Sequence, residues 1–271
     1  MKAIKKTYPP VREDIADLRT VRALPTQYIQ HIDPFLFLNH HGHQIYSPHN
    51  RGLPFGPHPH RGFETVTFIL KGDIAHRDSA GHESIIKEGG IQWMTAGKGL
   101  VHEEVSSEEF KKQGGELEIL QLWINLPAHL KMTEPRYMGR QQDEIPSEVV
   151  DGVKKNLVSE AVTTLTDITL QTIEMLTEGQ TTLRIPAGQN VFFYVVKGNL
   201  LVNGTEISAP RLVEFEDEGE EIRVLAQSSA YILFGHATPF NEPIVSYGPF
   251  VMNTREEILA AIQDYEAGKF S

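Results

Sequence analysis

The chain of 271 residues is 40% hydrophobic and 23% charged, enough apolar material for two domains of ordinary size or one large β domain. It contains no cysteine, which excludes disulfides, thiolate metal sites and cysteine nucleophiles. Its net charge is −11 and it has no basic run longer than Lys5-Lys6 or Lys111-Lys112, so direct binding of DNA or RNA, whose phosphates need a cationic surface, is not expected.

No stretch approaches the roughly eighteen consecutive apolar residues of a membrane span. The first residues, MKAIKKTYPPVRED, lack the apolar core of a secretory signal, so a cytoplasmic location away from membranes is expected. Along the chain, turn signals alternate with short runs rich in Val, Ile, Phe and Thr, the pattern of a sandwich or barrel. His40, His41, His43 and His49 fall in a polar stretch read as a solvated loop or a mobile rim over a pocket, rather than as a second metal site. Strands are predicted over 64–70, 91–95, 117–126, 169–174, 181–185, 191–196, 211–215 and 230–234. Gly72-Asp73, Asn203-Gly204 and Glu218-Gly219 supply turns between them. His76 and His82 flank a turn and are expected to be exposed, and the acidic stretch 214–221 reads as a solvated turn. Thr254 and Glu257 have capping-box spacing ahead of Ile258, Leu259, Ile262 and Tyr265, which predicts a short helix over about 254–267.

A weak repeat is present. Phe68-Ile-Leu-Lys-Gly-Asp73 and Tyr194-Val-Val-Lys-Gly-Asn199 align at an offset of 126 residues. Two copies imply a duplicated barrel, because a solenoid needs three repeats or more. The expected organisation is a metal-binding barrel over 1–131, a linker over 132–155 punctuated by Pro135, Pro146 and Gly152, and a second barrel with the helix over 156–271.

Ten of the twelve histidines lie at or before His102. Two pieces stand out: Pro57-His58-Pro59-His60-Arg61-Gly62-Phe63-Glu64 and Gly97-Lys98-Gly99-Leu100-Val101-His102-Glu103-Glu104. Residues i and i+2 of a strand share a face, so His58 converges with His60, and His102 with Glu104, while Glu103 faces away. On neighbouring strands the four would form a three-imidazole, one-carboxylate set suited to a first-row divalent ion with open positions. Glu64 competes with Glu104, provided Gly62 leaves the strand unkinked. Phe68, Trp93, Met94 and Trp123 are read mainly as barrel core, with a share in a substrate cavity. Arg61 and Lys98 either steer an anionic substrate or solvate the barrel mouth.

At these residues the sequence resembles the pirin family of the cupin superfamily. The tracts that carry the resemblance are Pro57-His-Pro-His-Arg-Gly-Phe-Glu-Thr-Val66, Gln92-Trp-Met-Thr-Ala-Gly-Lys-Gly-Leu-Val-His102, Gln121-Leu-Trp-Ile-Asn-Leu126, Asp33-Pro-Phe35, Asn241-Glu-Pro243 and Tyr247-Gly-Pro-Phe-Val-Met-Asn-Thr-Arg-Glu-Glu257. The general cupin pattern fits Gly52, His58, His60 and Glu64, with its closing glycine, Gly72, one residue late. The resemblance implies an all-β bicupin of two jelly-roll barrels in tandem. It also implies one metal in the first barrel, held by His58, His60, His102 and Glu104, with Glu64 in a supporting role behind the ligands. Iron(II) is the metal implied, with Mn, Co, Ni, Cu and Zn compatible with the same donors. At the repeat offset, Arg184, Pro186 and Asn190 replace His58, His60 and Glu64, so the second barrel is expected to be degenerate.

The function implied is a metal-dependent dioxygenase resembling quercetinase, which cleaves the ring of a flavonol with dioxygen and uses Glu104 as ligand and base. The alternative reading is a metal- or redox-sensing regulator that acts through a protein partner. A monomer is expected in either case.

Overall fold

The computed structural model describes residues 1–270. The chain divides into two compact units. One comprises Arg12–Arg22, Leu36–Asp143 and the residues from Phe240 on; the other comprises Met1–Val11, Ala23–Phe35 and Glu144–Pro239. Among the described residues no helix is long and apolar enough to cross a membrane.

The first of these units carries the histidine-rich motifs. Its seven-stranded sheet has the order Arg136–Arg140, Ile91–Thr95, Phe63–Lys71, Gly115–Asn125, Phe35–Tyr46, Thr20–Leu24, Val11–Arg12. A four-stranded sheet has the order Phe55–His60, Leu100–Val105, Asp73–Asp78, Glu83–Lys87. Period-2 patterning positions the candidate ligands. Along Leu100–Val105, residues Leu100, His102 and Glu104 are buried while Val101, Glu103 and Val105 are partly exposed. The helix Arg255–Glu266 begins at Thr254, whose side chain accepts from the Glu257 amide while the Glu257 carboxylate accepts from the Thr254 amide. Ile258 and Ala261 of this helix pack with Phe250, Met252 and Phe270.

In the other unit a seven-stranded sheet (Ile4–Tyr8, Arg211–Phe215, Asn190–Lys197, Ala230–Ala237, Thr169–Met175, Val153–Leu157, Ser147–Val150) accompanies a four-stranded one (Gln180–Arg184, Glu221–Ala226, Asn199–Val202, Thr205–Ser208). The strand order mirrors that of the histidine-bearing unit, so the faint sequence repeat is the trace of a duplicated topology. Its main core cluster is apolar, built from Leu183, Ile185, Phe193, Val195, Ile222, Val224, Ile232, Phe234 and their neighbours.

The expected linker over 132–155 instead holds three short strands joined by turns. Arg136–Arg140 pairs with Ile91–Thr95, Tyr137 opposite Met94 and Met138 opposite Trp93. Ser147–Val150 and Val153–Leu157 form a hairpin closed by Asp151-Gly152, both with positive φ, the backbone that an Asp-Gly hairpin turn requires. The linear boundaries differ as well: the C-terminal segment groups with the histidine-bearing unit, and the first strand with the other.

Candidate metal centre

The strand Phe55–His60 ends where Arg61 and Gly62 turn the chain, and Phe63–Lys71 departs into the opposite sheet. Gly62 has φ +89°, and a Cβ there would run into the Val251 carbonyl oxygen. His58 and His60 therefore stay on the four-stranded sheet while Glu64 starts the seven-stranded one. The shared parity that made Glu64 a rival to Glu104 needed an unbroken strand, and the chain breaks at Gly62.

Phe55–His60 pairs antiparallel with Leu100–Val105, placing His102 directly opposite His58. The candidate ligand nitrogens of His58, His60 and His102 lie within 4.8 Å of one another. Their ring centroids are 4.4 to 5.0 Å apart. His58 Nδ1 is 2.8 Å from the Gly56 carbonyl oxygen and His60 Nδ1 is 3.3 Å from that of Pro249. Donation from each Nδ1–H to its carbonyl leaves the two Nε2 lone pairs free, the arrangement that orients metal-binding imidazoles. His102 is 2% exposed, and neither of its nitrogens has a hydrogen-bond partner. An unpartnered buried polar group of this kind costs about 1–3 kcal/mol, a deficit that coordination to an ion removes. Burial, reinforced by its neighbour His58, pushes the His60 pKa down to about 3, and burial with the surrounding histidines holds His102 well below the usual imidazole value. Both imidazoles are therefore neutral near pH 7, the form in which they could donate a lone pair, so the donor set fits a first-row divalent ion.

Glu104 shares the inward face of His102 but lies outside the group of three nitrogens. The pairing register slips between His102 and Glu104, setting Glu104 opposite Phe55. Its carboxylate reaches the seven-stranded sheet, where Oε1 accepts from the Thr67 hydroxyl (3.0 Å) and Oε2 from the Gln121 amide (2.6 Å). Thr67 and Gln121 stand opposite each other on adjacent strands and grip the carboxylate as a pair. Burial outweighs these bonds and raises the Glu104 pKa to about 7. Glu64 is also buried, accepts from Thr95 Oγ1 at 2.6 Å, and has its pKa raised by burial. It too lies outside the group of three.

Other residues fall differently from the sequence reading. Arg61 is 5% exposed, with its guanidinium 2.9 Å from Asp264, its Nε donating to the Lys98 carbonyl, and the ring of Phe270 beneath it at 4.6 Å. It anchors the C-terminal segment beside His60 and is not offered to a substrate. Lys98 is half-exposed and pairs with Glu134. His40 and His41 are buried on the long strand Phe35–Tyr46, not on a loop. His40 bonds Glu118 and His41 approaches Thr20 Oγ1 at 2.8 Å, while His43 on the same strand and His49 beyond it are exposed. His76, expected on the surface, is 2% exposed and packs 5.4 Å from His102. Trp93, Met94 and Phe68 are core. Trp123 is half-buried, stacked 4.4 Å from Phe37 and 5.3 Å from His60, and forms an aromatic wall beside the imidazoles. Lys131, which sequence reasoning passed over, is buried and donates to Gly62 O, Asn125 Oδ1 and Val251 O, pinning the Gly62 corner.

Residues 17–124 match the sequence profile of the family described as pirin, and residues 170–271 match that of the pirin C-terminal cupin domain. A pirin-like protein of Caulobacter vibrioides is 38% identical over 267 residues, covering 95% of this chain and 94% of the relative. A Pseudomonas aeruginosa protein, named provisionally as a quercetin 2,3-dioxygenase, is 36% identical over 251 residues, covering 89% of this chain and 87% of its own. The crystal structure of a quercetin 2,3-dioxygenase from Acinetobacter baumannii superposes with a TM-score of 0.94 at 35% identity, over 100% of this chain and 99% of that one. Two matched domains, relatives aligned over nearly their full length and a shared duplicated β architecture agree: this chain is a bicupin and belongs to the pirin family.

Proposed function

We propose that the chain is a cupin dioxygenase that opens the central ring of a flavonol such as quercetin, with one divalent ion held by His58, His60 and His102 and with Glu104 as fourth ligand and proton acceptor. The observation that carries this reading is His102, a buried imidazole with both nitrogens unpartnered, at the meeting point of two anchored histidines. The resemblance in sequence and fold to a quercetin 2,3-dioxygenase supports the reaction class. An ion so held, iron(II) or another first-row metal, supplies Lewis-acid and redox chemistry at open positions.

The chain's own residues supply the rest. Glu104, buried on the inward face of its strand beside His102, is placed to accept the proton of an acidic substrate hydroxyl. Thr67 and Gln121 fix the direction from which its carboxylate reaches. Trp123, its ring 4.4 Å from both Phe37 and Phe63, gives the site an apolar aromatic wall beside His60. The overall change adds dioxygen to the flavonol and releases the carbon bearing the hydroxyl as carbon monoxide. Aerobic quercetin consumption with carbon monoxide release is expected from the iron-loaded protein and is expected to be lost in Glu104→Gln. Absence of turnover with every divalent metal loaded overturns the assignment.

A further inference from the structure

His58 and His60 each have a backbone carbonyl that fixes the ring, but His102 has none. Its orientation comes from what it packs against. It lies against His58 and His60, and His76 packs 5.4 Å away at 50° between ring planes. His76 is directly opposite Glu104 in the strand pairing, and Asp78 is directly opposite His102. The His76 ring is clamped twice. Its Nε2 lies 3.1 Å from Asp78 Oδ2, and its face stacks on Tyr137 at 4.0 Å and 14°. Both clamps are braced in turn. The Asp78 side chain is fully buried and accepts from the backbone amides of Ala80 and His82 at 3.0 Å, and the Tyr137 hydroxyl is hydrogen-bonded to Ser84.

We infer that His76 is a positioning residue for the metal centre: its ring, clamped by Asp78 and Tyr137, is the wall that holds the His102 imidazole in its ligating orientation. The inference rests on the reading of His58, His60 and His102 as metal ligands. A rigid ring at this place substitutes for the hydrogen bond His102 lacks. Losing a group that orients a ligand typically costs 10–100-fold in metal affinity. His76 spends its Nε2 on Asp78 and lies outside the group of ligand nitrogens, so it acts through packing and not through coordination.

The test titrates the metal-free full-length protein with cobalt(II), reading both the dissociation constant and the visible absorption bands that report coordination geometry. His76→Ala is expected to weaken binding about 10–100-fold and to alter the bands. His76→Phe, which keeps a ring in place, is expected to restore most of the affinity. Wild-type affinity and bands in His76→Ala overturn the inference, and so does a His76→Phe as weak as the alanine variant. If His76→Ala does not fold, Tyr137→Leu removes the stacking partner from the far side. Weakened binding with altered bands then supports the role, and wild-type behaviour overturns it. Urea unfolding of each metal-free variant separates a general loss of stability, which leaves the bands unchanged, from mispositioning. His102→Ala separates the two readings: if it binds cobalt(II) like wild type, the ligand assignment has failed and the inference falls with it, whereas if it loses the metal while His76→Ala keeps wild-type affinity and bands, the positioning role alone has failed.

Discussion

His41 is 1% exposed on the strand Phe35–Tyr46, and burial, aided by the nearby charges of His40 and Arg22, pushes its pKa down to about 3. An imidazole in the unfolded chain titrates near 6.5, so between about 6.5 and 3 the unfolded state carries a proton that the folded state refuses. Stability is therefore undiminished above this window and falls as pH drops through it. At pH 5 the His41 share of that loss is about 2 kcal/mol. The drop in unfolding free energy between pH 7 and pH 5, from urea titrations, is expected to shrink by about that amount in His41→Gln. An equal drop in both proteins contradicts the assignment. The sequence reading placed His41 on a loop, and the reason is local. Asn39-His-His-Gly-His-Gln44 is polar on both faces, with Gly42 in the left-handed region, so no period-2 signal survives. His76 was misread in the same way, because His-Arg-Asp-Ser looks like a turn until Tyr137 stacks on it. The His-x-His and His-x-Glu spacings were legible because strand parity alone fixes their faces. What the carboxylate of Glu104 touches was not, since Thr67 and Gln121 lie on other strands.

Elements were readable where an apolar alternation ran between turn residues. The strand expected over 91–95 is found as Ile91–Thr95, and 64–70 grew only to Phe63–Lys71. The region 132–155 was lost because its charge and its Pro and Gly content describe short strands at or near sheet edges and the turns between them as well as they describe a linker. The corner at Gly62 was the hinge of the site argument, and its glycine is required on two counts. Any L-residue at φ +89° is strained by about 1–2 kcal/mol, and the Val251 carbonyl occupies the space of a Cβ. Gly188 has φ +78° with nothing within 4 Å of a built Cβ, so it bears the first cost alone. Gly62→Ala is thus expected to lower unfolding free energy clearly more than Gly188→Ala, which should lose about 1–2 kcal/mol. Equal losses in chemical denaturation remove the close-approach argument.

At the scale of the molecule, one topology was used twice with different interiors. In the histidine-bearing unit His58 stands opposite His102, whereas the corresponding pair in the other unit is Arg184 opposite Glu221. That pair meets at 3.7 Å with the Arg184 side chain 85% exposed, a surface contact worth little. Behind it the barrel is closed by Leu183, Ile185, Ile222, Val224 and Phe234, none of which offers a lone pair to an ion. Duplication kept the strand order and the apolar alternation, which fold the second copy, while Arg184, Pro186 and Asn190 stand where the first copy has His58, His60 and Glu64. Equilibrium dialysis against a divalent metal is accordingly expected to saturate at one tight equivalent per chain. Because the native state alone assembles the three imidazoles, metal at a hundredfold excess over Kd should add about 2.7 kcal/mol of stability. For a chain of this size that corresponds to a rise in Tm of roughly 5–10 °C. Both the tight equivalent and the thermal shift should vanish in His102→Ala, whose remaining imidazoles, His58 and His60, leave the opposite strand without a nitrogen donor. A second tight equivalent, or a thermal shift that persists in His102→Ala, would place the ion elsewhere in the fold.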